Sequence, residues 1–148
     1  SAALMLFDID HFKSINESSG HAAGDEALKL VAGSARRLLR TRDLMGRLGG
    51  DEFVALLPDT TVKDALHVAQ RMVRHVDRSR KALQQKPLSL SFGVVQILPD
   101  EQLPDAIHRA VLALDEARRQ GDSRFVAAED DDGMPVFATS QTLGHSGF

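Results

Sequence analysis

The chain contains no cysteine, which excludes disulfides and thiolate metal sites alike. No apolar run approaches the roughly 20 residues that a membrane span needs, and no leader pattern of charged then apolar residues opens the sequence. Basic side chains number 18 against 21 acidic ones, a net charge of −3. There is thus no basic surplus for sequence-independent nucleic-acid binding. A phosphate-bearing ligand would have to be held by local cations, backbone N–H groups or a metal. The composition leads us to expect a cytoplasmic domain that contacts neither membrane nor nucleic acid.

What is present is ordinary for a globular domain: 148 residues, 43% hydrophobic and 26% charged. That length suits one domain with a real core. The chain opens inside an apolar stretch, "SAALMLFDID", and is expected to be a fragment of a longer protein. At the other end, "EDDDG" and the residues to Phe148 show no period. The expected division is a domain over 1–128 and a flexible acidic tail over 129–148.

Between these ends the pattern alternates strands and helices. "LMLFDI", Leu4 to Ile9, is a short apolar run expected as a buried central strand, interrupted by Asp8. Ala27, Leu30, Val31, Ser34, Ala35 and Leu38 follow helical spacing and predict a helix from about Gly24 to Arg40. Met45–Leu48 and Phe53–Leu57 flank Gly49-Gly50, a hairpin signal. A helix capped by Thr61 follows, with Ala65, Val68, Ala69, Met72 and Val76 as its apolar stripe. Leu88 to Ile97 reads as a strand, and Pro104 opens a third helix with Ile107, Ala110, Val111, Leu114 and Ala117 inward. Arg124 to Ala127 reads as a closing edge strand. The order is a βαββαβ plan with additions: an α+β, ferredoxin-like fold with helices packed around an antiparallel sheet.

Asp8 ends one strand, and Asp51-Glu52 lie at a hairpin tip that the plan allows to neighbour it. Three carboxylates brought together there would suit Mg2+, which takes one or two carboxylates plus substrate phosphates. Spacing alone also allows a solvated hairpin tip and an aspartate capping a loop. In "FDIDHFKSINESSGHAAGD", Lys13 can neutralise a phosphate. Asn16 and Asp25 offer amide and carboxylate groups for a base edge such as guanine's. They are equally readable as a turn residue and a helix cap.

The combination is more specific than its parts. Gly49-Gly50-Asp51-Glu52-Phe53, with "FDIDHFKSIN", "GHAAGD" and "SFGV" in order and at spacing, resembles the GGDEF family, the diguanylate cyclases, over Leu4 to Val126. The resemblance implies a two-layer fold like the palm of nucleotidyl cyclases and the synthesis of cyclic di-GMP from two GTP. It implies Mg2+ (or Mn2+) held by Asp8, the Ile9 carbonyl and Asp51, with Glu52 as a second ligand or the base. Asp51, Glu52 and Lys13 would be the catalytic side chains. Backbone groups of His11 and Phe12 would hold the phosphates with Lys13, and Asn16 and Asp25 would bind guanine with His21 and Leu28 nearby.

The family's inhibitory product site maps onto Arg40 and Asp43, an RxxD starting nine positions before Gly49, and onto Arg71. Near the end the chain departs from the pattern. Arg118 stands for a phosphate-binding lysine, and Asp122 stands where an arginine is expected. Partners implied are GTP, cyclic di-GMP, a second copy forming a homodimer, and an upstream sensor domain. The competing expectation is a catalytically weak domain that serves as a cyclic di-GMP receptor. A cyclase making a mononucleotide is disfavoured by the Asn16/Asp25 pair and the full GGDEF string.

Overall fold

The computed structural model describes residues 1–121, 124–128 and 135–139. In chain order the elements are β1 Ala2–Ile9, α1 Phe12–Ser19, α2 His21–Leu38, β2 Leu44–Gly49, β3 Glu52–Pro58, α3 Val62–Ala82, β4 Leu90–Gln96, α4 Leu103–Arg119, β5 Arg124–Ala128 and β6 Pro135–Thr139. They build one sheet in the order β2-β3-β1-β4-β5-β6. Its first four strands are antiparallel and follow the ferredoxin-like order. β5 joins parallel to β4, and β6 pairs antiparallel with β5.

Burial follows from strand position. β1 is central and is buried from Ala3 to Ile9, which is why its sequence is a nearly unbroken apolar run. β3 alternates, burying Phe53, Ala55 and Leu57 against α2 and α3. Those two helices cover one face of the sheet over Met5, Phe7 and Phe92, while α4 covers the other over Leu4, Leu6 and Val95. The two-layer expectation is therefore corrected to three layers, because the helix added after β4 packs on the face the first two leave open.

Two packing devices fix what the site will need. Phe53, Phe7, Phe92 and Phe125 are cross-strand partners on β3, β1, β4 and β5. Their rings stack at centroid distances of 5.3, 5.4 and 5.0 Å. Offset ring pairs contribute about 0.5–1.5 kcal/mol each beyond area burial. A one-residue slip would break this ladder and turn every side chain to the wrong face. The second device is Gly93, where a methyl group would lie 2.4 Å from Leu114 N and 2.5 Å from Ala110 O. Only glycine lets the α4 backbone lie this close to β4.

Several expectations change in detail. α1 is a helix that the polar string "FKSINESS" did not announce; it buries no residue and leans on α2. α2 begins at His21, so Asp25 lies inside the helix rather than capping it. Thr61 does cap α3, its hydroxyl accepting from Asp64 N at 3.1 Å, a contact worth about 1 kcal/mol. Pro104 falls in the first turn of α4 as expected. β5 is not the edge, because β6 pairs beside it. The expectation of a tail without regular structure from 129 onward does not hold at Pro135–Thr139, and Asp122 lies outside the described residues.

Candidate active site

The end of β1, the first turns of α1, the hairpin tip and the end of α4 surround a cleft of about 470 Å³. β1 contributes Asp8 and Ile9, the next turn contributes Asp10 and His11, and α1 contributes Phe12, Lys13 and Asn16. Asp51 comes from the hairpin tip and Arg118 from α4. The strand register sets Asp8 opposite Glu52, one position beyond the Phe7–Phe53 stack. At the hairpin tip Gly50 has φ 37°, a backbone that glycine adopts without strain.

Asp8 is 4% exposed. Arg118 Nη2 donates to its Oδ2, whereas its Oδ1 is buried with no hydrogen-bond partner. Burial raises the Asp8 carboxyl from 3.8 to about 6, against the lowering effect of the Arg118 hydrogen bond and charge; Asp51 and Asp10 push it further up. Arg118 also lies 3.8 Å from Glu52 Oε1 and donates from Nη1 to Asp115 at 2.9 Å. Desolvation lowers the Arg118 guanidinium, but its bond to Asp8 and the nearby carboxylates outweigh that and hold it raised.

Among the described residues no three carboxylate or imidazole side chains converge at ligand distance. Asp8 and Asp51 line the same cleft, Asp8 and Glu52 are paired by register, and the Arg118 charge lies between Asp8 and Glu52. The residues still fit a hard divalent cation. A buried carboxylate oxygen without a partner is costly unless a cation or donor meets it. Mg2+ is commonly held by one or two carboxylates with the substrate supplying other oxygens.

The expected base-reading residues divide. Asn16 lines the cleft and packs so closely on α2 that a methyl group on Gly24 would lie 1.8 Å from its Oδ1. His21 and Asp25, exposed in the first turns of α2, do not line it. Leu28 lines a separate groove of about 760 Å³ between α2 and β2. Lys13 borders the cleft with an exposed ammonium 3.8 Å from Glu17.

Arg40 and Asp43 lie on the second groove. Arg40 Nη2 donates to Asp43 Oδ1 at 2.8 Å, and Arg40 N donates to Oδ2 at 2.7 Å. Burial raises the Asp43 carboxyl, but these bonds win and hold it below the usual range. The same Nη2 donates to Pro58 O at 2.9 Å and Thr60 Oγ1 at 2.7 Å. Arg71 is exposed on α3 and does not line this groove.

Sequence reasoning missed several contributors. Gly24 was read only as a helix start and as part of "GHAAGD", and Thr60 carried no signal as a partner of Arg40. Arg47, whose Nε donates to Gly50 O at 2.9 Å and braces the hairpin tip, fell within the expected strand Met45–Leu48 without a role.

The model of the family described as "Diguanylate cyclase, GGDEF domain" matches residues 1–124. The chain belongs to the GGDEF family. The GGDEF domain is 38% identical over 127 residues to the diguanylate cyclase DgcP of Pseudomonas aeruginosa, covering 84% of this chain and 19% of that protein. It thus spans about a fifth of that relative's length. The active GGEEF domain of a diguanylate cyclase from Vibrio cholerae superposes with a TM-score of 0.77 at 30% identity, over 88% of this chain and 84% of that one. The GGDEF domain of DgcB from Caulobacter crescentus, solved in complex with c-di-GMP, gives 0.78 at 27% identity over 85% and 77%. No helix among the described residues is long and apolar enough to cross a membrane.

Proposed function

We propose that this GGDEF domain is a diguanylate cyclase, condensing two GTP into cyclic di-GMP and two pyrophosphates. The observation that carries the reading is Asp8: a buried carboxylate, opposite Glu52, with one oxygen unpartnered at the floor of a cleft that Asn16 and Lys13 border. Mg2+ or Mn2+ bound at Asp8, the Ile9 carbonyl and Asp51 would neutralise triphosphate charge and polarise the reacting phosphate. The chain's own residues bind and orient. Lys13, Arg118 and the N–H groups of His11 and Phe12 face the phosphates, and Asn16 takes the guanine edge. Asp25, with His21 and Leu28, lies beyond the cleft lining and would meet the base only where it extends past Asn16 over α2. Glu52 is a second ligand or accepts the proton of the attacking 3′-hydroxyl.

In each half-reaction a 3′-hydroxyl oxygen bonds to the α-phosphorus of the other GTP, and the bond to pyrophosphate breaks. Such transfer needs alignment and charge neutralisation more than covalent help from protein. One cleft holds one GTP, so two domains must face each other as a homodimer. An upstream sensor domain in the cytoplasm would govern that meeting. Cyclic di-GMP bound at Arg40, Asp43 and Arg71 would oppose it.

A second reading, a catalytically weak domain acting as a cyclic di-GMP receptor, draws on the Arg118 guanidinium that already neutralises Asp8. One experiment separates them. Full-length protein incubated with GTP and Mg2+, its product identified by mass, yields cyclic di-GMP on the first reading. Cyclic di-GMP binding without turnover supports the second.

A further inference from the structure

The turn between β1 and α1 holds a further carboxylate, Asp10, to which the proposed reaction gives no role. Each of its oxygens is engaged: Ser91 Oγ donates to Oδ1 at 2.6 Å and Ser89 Oγ to Oδ2 at 2.7 Å. Its backbone N–H donates to Ser89 O at 2.9 Å. Ser91 is completely buried in β4 and is the cross-strand partner of Asp8. A hydroxyl at such a place is unfavourable unless hydrogen-bonded, and the Asp10 carboxylate supplies a charge-assisted partner.

The next residue is strained. His11 has φ 57° and ψ 36°, left-handed backbone in a non-glycine residue at the start of α1. Such a conformation persists only where its surroundings over-determine it. The backbone of 9–12 is fixed at one end by the pairing of Ile9 with Leu90. One residue on, at the same end, the two serine bonds to Asp10 add a side-chain tether just before the left-handed turn at His11. The cleft is bordered by this same stretch.

We propose that Asp10, clamped by Ser89 and Ser91, is a positioning residue. It holds residues 9–12 so that the Ile9 carbonyl and the N–H groups of His11 and Phe12 meet the metal and the phosphates of GTP. This rests on the reading of the cleft as a GTP site. Both Asp10 oxygens accept from serines, which is the geometry of a clamp. Each oxygen keeps a second lone pair, so Mn2+ affinity is what separates clamp from ligand. Partners that orient binding groups typically change affinity or activity 10- to 100-fold when removed.

The test measures three affinities on full-length protein: Mn2+ alone, GTP with Ca2+, and guanosine, which lacks phosphates. Asp10→Ala and the double variant Ser89→Ala/Ser91→Ala should each weaken GTP at least ~10-fold while guanosine changes less than ~2-fold. Asp10→Asn can still bond both serines, because a hydroxyl donates and accepts. It should keep Mn2+ affinity far closer to wild type than Asp8→Asn does. If the double variant does not fold, Ser89→Ala at its half-buried position gives the same direction at smaller size.

Asp10→Asn losing Mn2+ as severely as Asp8→Asn would make Asp10 a ligand and overturn the clamp. GTP affinity unchanged in Asp10→Ala overturns it too, as does equal loss of GTP and guanosine. A wild-type protein that binds no GTP sinks the GTP reading and the clamp together; intact wild-type binding beside unaffected variants sinks the clamp alone.

Discussion

The Arg118 guanidinium on α4 hydrogen-bonds the Asp8 carboxylate at the end of β1, joining residues 110 positions apart in the chain. A metal placed on Asp8 has to share or replace that cation, and Arg118 is then free to turn to a phosphate. Replacing it by glutamine should therefore move two affinities in opposite directions. Mn2+ without nucleotide should bind more tightly, because Asp8 loses its competing positive charge. GTP should bind more weakly, because a phosphate contact is lost. Calorimetry on Arg118→Gln reads both, and two shifts of the same sign would refute the exchange.

Asp8 also predicts a pH signature for the metal-free protein. Burial raises its carboxyl from 3.8 to about 6, so the folded chain holds that proton more tightly than the unfolded one. Its contribution to stability is therefore largest below about pH 4 and is lost as pH rises to about 6. Asp43, Asp77, Glu101 and Glu116 are shifted down and act in the opposite direction. The difference between Asp8→Asn and wild type isolates the term. Urea unfolding in EDTA should show the variant gaining on wild type between pH 4 and 6; a pH-independent difference would mean that Asp8 is not strained by burial.

Gly24 offers a test of the base pocket. A methyl group there would lie 1.8 Å from Asn16 Oδ1 and 3.3 Å from Phe12 Cζ. Gly24→Ala must move Asn16, while alanine raises the intrinsic helix propensity of α2 by about 1 kcal/mol. We expect weaker GTP binding and a smaller preference for GTP over ATP. A site built on hydrogen bonds discriminates by leaving its polar groups unpaired with the wrong base. Full GTP selectivity in Gly24→Ala would take Asn16 out of the base pocket.

The fold was legible where one periodicity dominated. β1 read as central because its apolar run admits no solvent face, and α3 read through its cap and stripe. α1 was hidden because its eight residues bury nothing, so no pattern marks it; packing on α2 and backbone bonds form it. β6 was hidden by the acidic, aperiodic residues around it. The site was legible as a list of residues and not as a geometry. Register puts Asp8 opposite Glu52, but the Arg118 charge between them depends on Gly93 admitting α4 to the sheet, and no local string encodes that approach.

Gly93→Ala tests that dependence directly. The added methyl would meet α4 backbone at 2.4 and 2.5 Å, and backbone cannot turn aside as a side chain can. Overpacking of this kind costs about 1–3 kcal/mol. The loss should appear in urea unfolding, together with tighter Mn2+ binding if α4 carries Arg118 away from Asp8. Unchanged stability would mean that α4 already has room to shift.

If the proposed cyclase is inhibited by its product, Arg40 is where the feedback would act. Its guanidinium grips Asp43, whose side chain is 2% exposed, and also bonds Pro58 O and Thr60 Oγ1. A product phosphate or guanine edge must compete with these bonds or use the remaining donors of the fork. Arg40→Lys keeps the charge and loses the planar fork. It should weaken cyclic di-GMP binding at least ~10-fold, because bidentate contacts of this type are worth more than a point charge. The groove that Arg40 borders is separate from the Asp8 cleft, so inhibition of the wild type should not be competitive with GTP. A ligand shifts an equilibrium only through its differential affinity for the two states. On the proposed function, an inhibiting product would have to favour an arrangement in which two GTP clefts do not meet. Initial rates at varied GTP and cyclic di-GMP read the pattern. Inhibition undiminished in Arg40→Lys and competitive in wild type would reduce Arg40 and Asp43 to a brace between the end of α2 and the β3–α3 turn.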